Sequence, residues 1–295
     1  MSIAIAAEHE GFQIMRLIAV YNVFDGIELL EGSLRQIYSE CFKVLIVYQV
    51  ISNYGESDGC VEGFVRLLAS RYRRIQLLKF EPDTTLSASQ NEKNKRMRGI
   101  ALARDLRASH FLLIDCDEYY SAREFRRAKQ IIRNGGFDSS ACRLYTYFKR
   151  PTYRLTPLED YYVPFISSIS LNLSDDYPVY ADPTRLAKGT SFYEFKQSEL
   201  MMHHFSWVRL DIEKKLRNSS AKVNWGDKIP QMVENYKNFE LTDPIIYYPG
   251  STLVEVRNQF EIRTGNVNCG DSRTGGPAMQ KDENNPSMEH LAKES

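Results

Sequence analysis

The sequence predicts a mixed α/β fold with a mostly parallel sheet, and three observations carry that prediction. Short apolar, β-branched runs alternate with segments whose apolar residues recur at helical spacing. Four such runs occur before residue 116, and parallel strands need crossover connections of this kind. The fourth run, Phe111 to Ile114, leads straight into Asp115-Cys116-Asp117-Glu118, and open α/β sheets bind ligands beyond the carboxyl ends of their strands.

The elements follow in order. Arg16 to Tyr21 reads as a first buried strand. Ile27, Leu30, Leu34 and Ile37 fall on one helical face. Val44 to Tyr48 is a second strand, and the polar stretch from Ser52 to Gly59 is a loop. Val61, Phe64, Val65, Leu68 and Tyr72 mark a second helix, and Ile75 to Phe80 a third strand. A third helix is expected over Glu92 to Arg107, with Met97, Ile100, Ala101 and Leu106 as its apolar positions. Ser121-Ala-Arg-Glu124 has the form of a capping box opening a helix that Asn134-Gly135-Gly136 stops. Ala141 to Phe148 and Leu200 to Val208 read as further strands, Lys149 to Asp182 as irregular, and Asp211 to Ala221 as a helix with Asp211 as N-cap.

Composition narrows the class. The 295 residues are 43% hydrophobic and carry 38 basic against 38 acidic side chains. That balance argues against nucleic acid as a main partner. No apolar run reaches the roughly 18–20 residues of a membrane span, and Met1 to Glu10 lacks the pattern of a signal peptide. A peripheral membrane contact stays compatible with this composition. Five scattered cysteines without C-x-x-C spacing argue against a zinc site or a disulfide framework, so a cytoplasmic location is expected.

The acids carry the chemistry. Asp115 and Asp117, one residue apart on an extended chain, point to opposite faces unless the chain turns, and the helix start at Ser121 requires a turn. Divided labour follows: one carboxylate on a ribose or a ligating water, the other on a metal ion. The competing reading is that they solvate a strand end and favour the next helix N-terminus. An Asp-x-Asp-x-Thr phosphatase motif is disfavoured, since position 119 is Tyr and the strand is the fourth. Glu92 to Arg98 reads as a helix start on which Asn91, Lys95 and Arg98 share one face, which suits phosphate or simply water.

Several segments together resemble the glycosyltransferases of the GT-A (Rossmann-like) fold, close to the family-2 type. Val20-Tyr21-Asn22 ends the first strand as the start motif of that family does. Asp115-Cys-Asp117-Glu118 looks like its D-x-D-E signature, and His204-Phe-Ser-Trp207-Val208-Arg209 with Lys214 and Lys215 is similar to its H-[YF]-[GS]-W-V-R…K segment. The likeness covers about residues 15 to 220. It departs at Val50-Ile-Ser-Asn53-Tyr-Gly, where typical members carry acids.

The resemblance implies a nucleotide-sugar donor, UDP-linked first, with Mn²⁺ or Mg²⁺ bridging its diphosphate. It implies metal ligation by Asp117, with His204 completing the shell and Asp115 reaching a metal-bound water or the ribose. His203 is the fallback ligand, because strand alternation sends adjacent side chains to opposite faces. Val20, Tyr21, Asn22, Asn53, Lys95, Arg98, Asp115, Asp117 and Arg209 are the donor-binding candidates. A general base for an inverting transfer is sought among Asp160, Glu159 and Glu194, with Asp160 favoured. Their segment is rich in aromatic residues that suit a saccharide or lipid-linked acceptor.

The expected layout is one catalytic domain over 12–225. Its nucleotide-binding half runs to about 125 and its acceptor- and metal-closing half over 126–225. A helical C-terminal extension over 226–264 and a flexible or disordered tail over 265–295 complete it. The alternatives are a sugar-nucleotide hydrolase or nucleotidyltransferase on the same scaffold, or a non-catalytic nucleotide-sugar-binding module. Oligomeric state leaves no mark on the sequence.

Overall fold

In the computed structural model, which describes residues 14–263 apart from 175, 176 and 246, strand and helix alternate through the first half. The order is β1 (Leu17–Val23), α1 (Ile27–Ile37), β2 (Lys43–Tyr48), α2 (Cys60–Arg71), β3 (Ile75–Lys79), α3 (Ala88–Asp105) and β4 (His110–Asp115). The four strands pair in parallel in the order β3-β2-β1-β4. Strand order therefore reverses between β1 and β4, and such a switch point opens a crevice at the carboxyl ends of the two strands.

β1 reads as an unbroken apolar run because both of its faces are covered. Leu17, Ala19, Tyr21 and Val23 join the core formed with Leu30 and Leu34 of α1 and Val61 and Val65 of α2. Ile18 and Val20 pack the other way, against Ile100 and Ala103 of α3. That helix lies so close that a Cβ on Gly99 would stand 2.3 Å from Val20 Cγ1, so only glycine permits the approach.

α3 differs from the expected Glu92–Arg107. It begins at Ala88, where Ser87 and Gln90 form a reciprocal capping box. Its buried face carries Asn91, Lys95, Arg96, Gly99, Ile100 and Ala103, while Met97 and Ala101 are exposed. The first turns are polar inside because they face the crevice, and an apolar-periodicity reading slips in phase there.

Beyond β4 come β5 (Glu118–Tyr119), α4 (Ala122–Gly135), β6 (Ser139–Phe148), β7 (Tyr153–Thr156), β8 (Tyr162–Pro164), β9 (Ile166–Ser168), β10 (Phe192–Glu194) and β11 (Met201–Trp207). α4 ends on Gly136 in the left-handed region as expected, but the Ser121 side chain makes no capping hydrogen bond. The stretch expected to be irregular contains three short strands, of which β9 adds antiparallel to the free edge of β4.

β11 runs parallel to β6 and antiparallel to β5. Its register sets His204 opposite Glu118 and His203 opposite Tyr119. The two sequence motifs, almost ninety residues apart, thus become neighbouring strands.

α5 (Ile212–Asn218) is capped by the Asp211 carboxylate accepting from Lys214 N, and ends before the expected Ala221. α6 (Lys222–Trp225), α7 (Ile229–Asn238) and β12 (Thr252–Glu255) follow, the last pairing antiparallel with β7. α5 and α7 share a small core with Phe148 and Trp207. The chain is thus a mixed α/β structure with helices on a mostly parallel first sheet. Among the described residues no helix is long and apolar enough to cross a membrane. The tail expected over 265–295 lies outside the described residues.

Candidate active site

A cleft of about 540 Å³ opens at the carboxyl ends of β1 and β4. Asn22 and Asp115 face each other there in the β1–β4 register. The chain then turns through Cys116 and Asp117 before entering β5, so the acids divide. Asp115 is partly exposed, whereas Asp117 and Glu118 are buried.

Each acid is met by an arginine from another part of the chain. Asp115 Oδ2 lies 3.2 Å from Arg96 Nη2 and 3.4 Å from Arg185 Nη2. Glu118 is bound by Arg185 at 2.8 Å, and burial still pushes its carboxyl up to about 6 against that attraction, with Asp115 adding to the rise. Arg209 Nη2 donates to Asp117 Oδ2 at 2.5 Å. Burial alone would raise Asp117, but Arg209, then His204 and Lys215, outweigh it and hold the carboxyl well below the usual range. Asp182 completes the network, accepting from Arg185 Nε at 2.9 Å.

The adjacent histidines part company. His203 is buried, with Tyr147 Oη 2.7 Å from Nδ1 and Gln259 Nε2 3.1 Å from Nε2. Burial, then Arg154, lower its pKa to about 3, so it stays neutral. His204 lines the cleft, with Nε2 3.8 Å from Asp117 Oδ2. Burial lowers its pKa against the pull of Asp117.

Cations supply the rest of the wall. Arg209 lies over Gly26, whose φ of +73° places it in the left-handed region. A Cβ there would stand 2.5 Å from Arg209 Nη1, so glycine both makes the turn and clears room for the guanidinium. Lys95 is buried, donates to Val23 O at 2.8 Å, and is pushed down to about 7 by burial, against the opposing field of Cys116 and Asp115. Lys215 lines the same cleft, its pKa lowered by burial and then by Arg209.

The residues can be tested against the divalent ion that the resemblance implies. Among the described residues, no three acidic, histidine or cysteine side chains converge as a ligand set. Asp117 and His204 stand together, but the Asp117 oxygen that faces His204 already accepts from Arg209. Hard and borderline metal ions need a free lone pair at roughly 2.0–2.6 Å. Arg209 occupies Oδ2 of Asp117 and leaves Oδ1, and an ion of this kind takes one or two carboxylates beside substrate phosphates and water, so Asp117, next to His204, is the residue that would hold it.

Of the donor-binding candidates, Asn22, Asn53, Lys95, Asp115, Asp117 and Arg209 all line the cleft, as does His204. Val20 and Tyr21 belong to the two cores behind it, and Arg98 is exposed on α3. The base candidates lie outside the lining. Asp160 is fully exposed and 3.8 Å from Arg143, Glu194 accepts from Tyr162 Oη, and Glu159 accepts from Thr146 Oγ1. The sequence reading passed over Arg96, Arg185 and Gln49. Arg96 was within reach, because shifting the α3 phase by one residue puts it inward beside Lys95. Arg185 sits in an irregular stretch, and no local pattern marks it.

No family model matches the chain, and no curated protein matches it either. Solved structures do. TarS 1-349 of S. aureus matches with 11% identity and a TM-score of 0.43 over 72% of this chain and 66% of that one. Its complex with UDP matches with 12% identity and a TM-score of 0.42 over 78% and 74%. The mannosyltransferase PcManGT from Pyrobaculum calidifontis, in complex with GDP-Man and Mn2+, matches with 16% identity and a TM-score of 0.32 over 46% and 36%. The chain thus spans about two thirds or less of two of these three. The likeness lies in the course of the chain and extends no further.

Proposed function

We propose that this chain is a glycosyltransferase of GT-A type that moves a sugar from a nucleoside-diphosphate donor, UDP-linked first, to a hydroxyl of a saccharide or lipid-linked acceptor. One observation carries the reading. The strand-end acids Asp115 and Asp117 meet His204 and Arg209 in a single cleft at the switch point of a parallel sheet. That is where open α/β sheets hold nucleotides, and the D-x-D-E and H-F-S-W-V-R segments that resemble the family are the ones that meet there.

In this reading, the loop beyond β2 offers amides to the nucleobase in place of acids. Gln49 Nε2 donates to Ile51 O and Asn53 Oδ1, which fixes both side chains at the cleft wall. Asp115, anchored by Arg96 and Arg185, faces the ribose. The diphosphate lies toward Lys95, Arg209 and Lys215. Departure of a nucleoside diphosphate builds negative charge, and preorganised donors stabilise such charge most when water is excluded. The acceptor enters on the His204 side, where the charge of Glu159 reaches the imidazole. An inverting transfer needs a general base, and since none of Asp160, Glu159 and Glu194 lines the cleft, none of the three is assigned that role. No step is routed through a metal ion.

The test is a panel of UDP-, GDP-, CDP- and dTDP-sugars, scored first by thermal shift and then by product. Transfer releases a nucleoside diphosphate and a glycosylated acceptor. Sugar 1-phosphate with nucleoside monophosphate would instead identify a hydrolase, and saturable binding without turnover a binding module.

A further inference from the structure

We propose that the outer face of α4 is a docking surface for an anionic lipid bilayer, against which the protein lies with its cleft mouth left open.

The charge along α4 is the central observation. Its 14 residues carry five basic side chains and one acid, Glu124, in a chain whose overall charge is zero. Arg123, Arg126, Arg127 and Arg133 are all exposed. Their spacing of i, i+3, i+4 and i+10 puts them on one face, spread over about 15 Å of helix axis. Phe125, Ala128 and Ile132 hold the opposite face in the core. α3 carries as many basic residues, but it buries Lys95 and Arg96 and has two acids.

The protein itself answers little of this charge. Arg126 Nε lies 2.6 Å from Glu40, and Lys129 shares the same carboxylate at 3.6 Å. One acid thus meets two bases. Arg123 and Arg127 have no ion-pair partner among the described residues. An arginine without a counter-ion adds to the surface potential, and at physiological salt its field reaches about 8 Å, so neighbours along the stripe act together.

Exposed apolar side chains stand at the margins of the stripe. Ile14 is 82% exposed and shares a pocket wall with Ile132 and Arg133 near the end of α4. Phe42 is 38% exposed, two residues beyond Glu40, with the Arg16 guanidinium 4.0 Å from its ring centre. Basic side chains beside exposed apolar ones suit the boundary of headgroups and acyl chains. The stripe is one convex helix face. It fits a broad layer of mobile charges better than an acidic peptide, which needs a groove or a sheet edge to fix its backbone. α4 starts directly after β5 at the cleft and ends beside His110, the first residue of β4. It therefore runs along the sheet, and a bilayer against its outer face does not cover the cleft.

The experiment is co-sedimentation of the full chain with extruded vesicles of phosphatidylcholine alone, or of phosphatidylcholine and phosphatidylglycerol at about 7:3. Binding is expected to the mixed vesicles only, and should fall about tenfold or more between roughly 0.1 and 0.5 M salt. Each arginine near an anionic surface strengthens partition roughly fivefold. Arg123→Gln with Arg127→Gln should therefore weaken partition about tenfold or more, while Arg123→Lys with Arg127→Lys should keep it within about threefold. Arg98→Gln with Arg107→Gln removes the same charge from exposed positions on and just beyond α3, in the layer on the other face of the sheet. That variant should also stay within about threefold. Equal binding to both kinds of vesicle, or equal losses in the two glutamine variants, would overturn the proposal. Failure to bind the mixed vesicles would overturn it outright, and capture by poly-glutamate or a DNA duplex instead would assign the stripe to a protein or a nucleic acid.

Discussion

Phe111 to Ile114 and Asp115 to Glu118 are adjacent segments held in place by unlike forces. The first is wrapped on both sides by aliphatic and aromatic neighbours from two cores. The second is held by guanidinium groups that lie 19, 67 and 92 residues away in sequence. Apolar neighbours are interchangeable, so losing one leaves a cavity. A buried charge depends on a few specific partners, so losing one leaves it uncompensated unless its pKa shifts and it gives up the charge. The sheet body tolerates change where its tip does not.

The sharpest way to separate the two is Arg185→Ala beside Leu112→Ala. Removing Arg185 strands Glu118, which is 0% exposed, and breaking such a pair costs roughly 3–5 kcal/mol. Leu112→Ala falls in a similar range, about 2–5 kcal/mol, through its cavity. Their pH dependence differs. The Glu118 carboxyl is already raised to about 6 by burial, so stability tied to its neutral form is complete below the unfolded value near 4.5 and is lost as pH rises through 6. Without Arg185 the folded value climbs further, so the Arg185→Ala deficit should be larger at pH 8 than at pH 5, where the lost pairs with Asp182 and Asp115 still contribute. The Leu112→Ala deficit should be flat. Urea denaturation at both pH values measures this, and equal profiles would erase the distinction drawn between tip and body.

A second effect, of a few kcal/mol, sits at Lys95. Burial lowers its amine from 10.5 to about 7. Between those values the unfolded chain binds more protons, so stability rises with pH across that window, and the cost of burying the ammonium is complete below 7. Lys95→Met should therefore stabilise the fold more at pH 6 than at pH 10 while weakening nucleotide binding. In the unsubstituted protein an anion in the cleft raises the amine's pKa, so affinity is complete below 7 and declines as pH climbs above it. Thermal melts and UDP titrations at the two pH values check both signs. A variant that loses stability and affinity together would make Lys95 a packing residue.

What the sequence disclosed follows the same division. The body of the sheet is local: Leu17 to Val23 and Phe111 to Ile114 are apolar because both faces are covered, and period and composition suffice to find them. The acids were found because charged residues at the end of an apolar run break its pattern, and His204 through the resemblance of its segment to the GT-A glycosyltransferases. Arg185 was invisible, since an arginine in a loop looks the same whether it meets water or Glu118. Arg96 was hidden by the assumption that the inner face of α3 is apolar. Its first turns are polar inside because they line the cleft, and that assumption placed Met97 inward when it is 43% exposed. Ser121 shows the converse: the residues of a capping box are present, yet the side chain makes no capping bond.

α3 joins the two regimes, and its N-terminus offers the mildest test of how separable they are. Ser87 Oγ accepts from Gln90 N at 3.2 Å and Gln90 Oε1 accepts from Ser87 N at 3.0 Å. Ser87→Ala removes half of this box and should cost about 1 kcal/mol, within the usual 0.5–2 for an N-cap. Lys95 and Arg96 lie two turns further in, where the helix is also fixed by Gly99 against Val20 and by Ile100 and Ala103 in the core. Fraying of the first turn should therefore stop before it reaches them. The expected result is a lower melting temperature with UDP affinity changed by less than about threefold. If affinity falls in step with stability, the cleft takes its order from the helix terminus, and the charged tip of the sheet is less independent of its scaffold than its ion pairs imply.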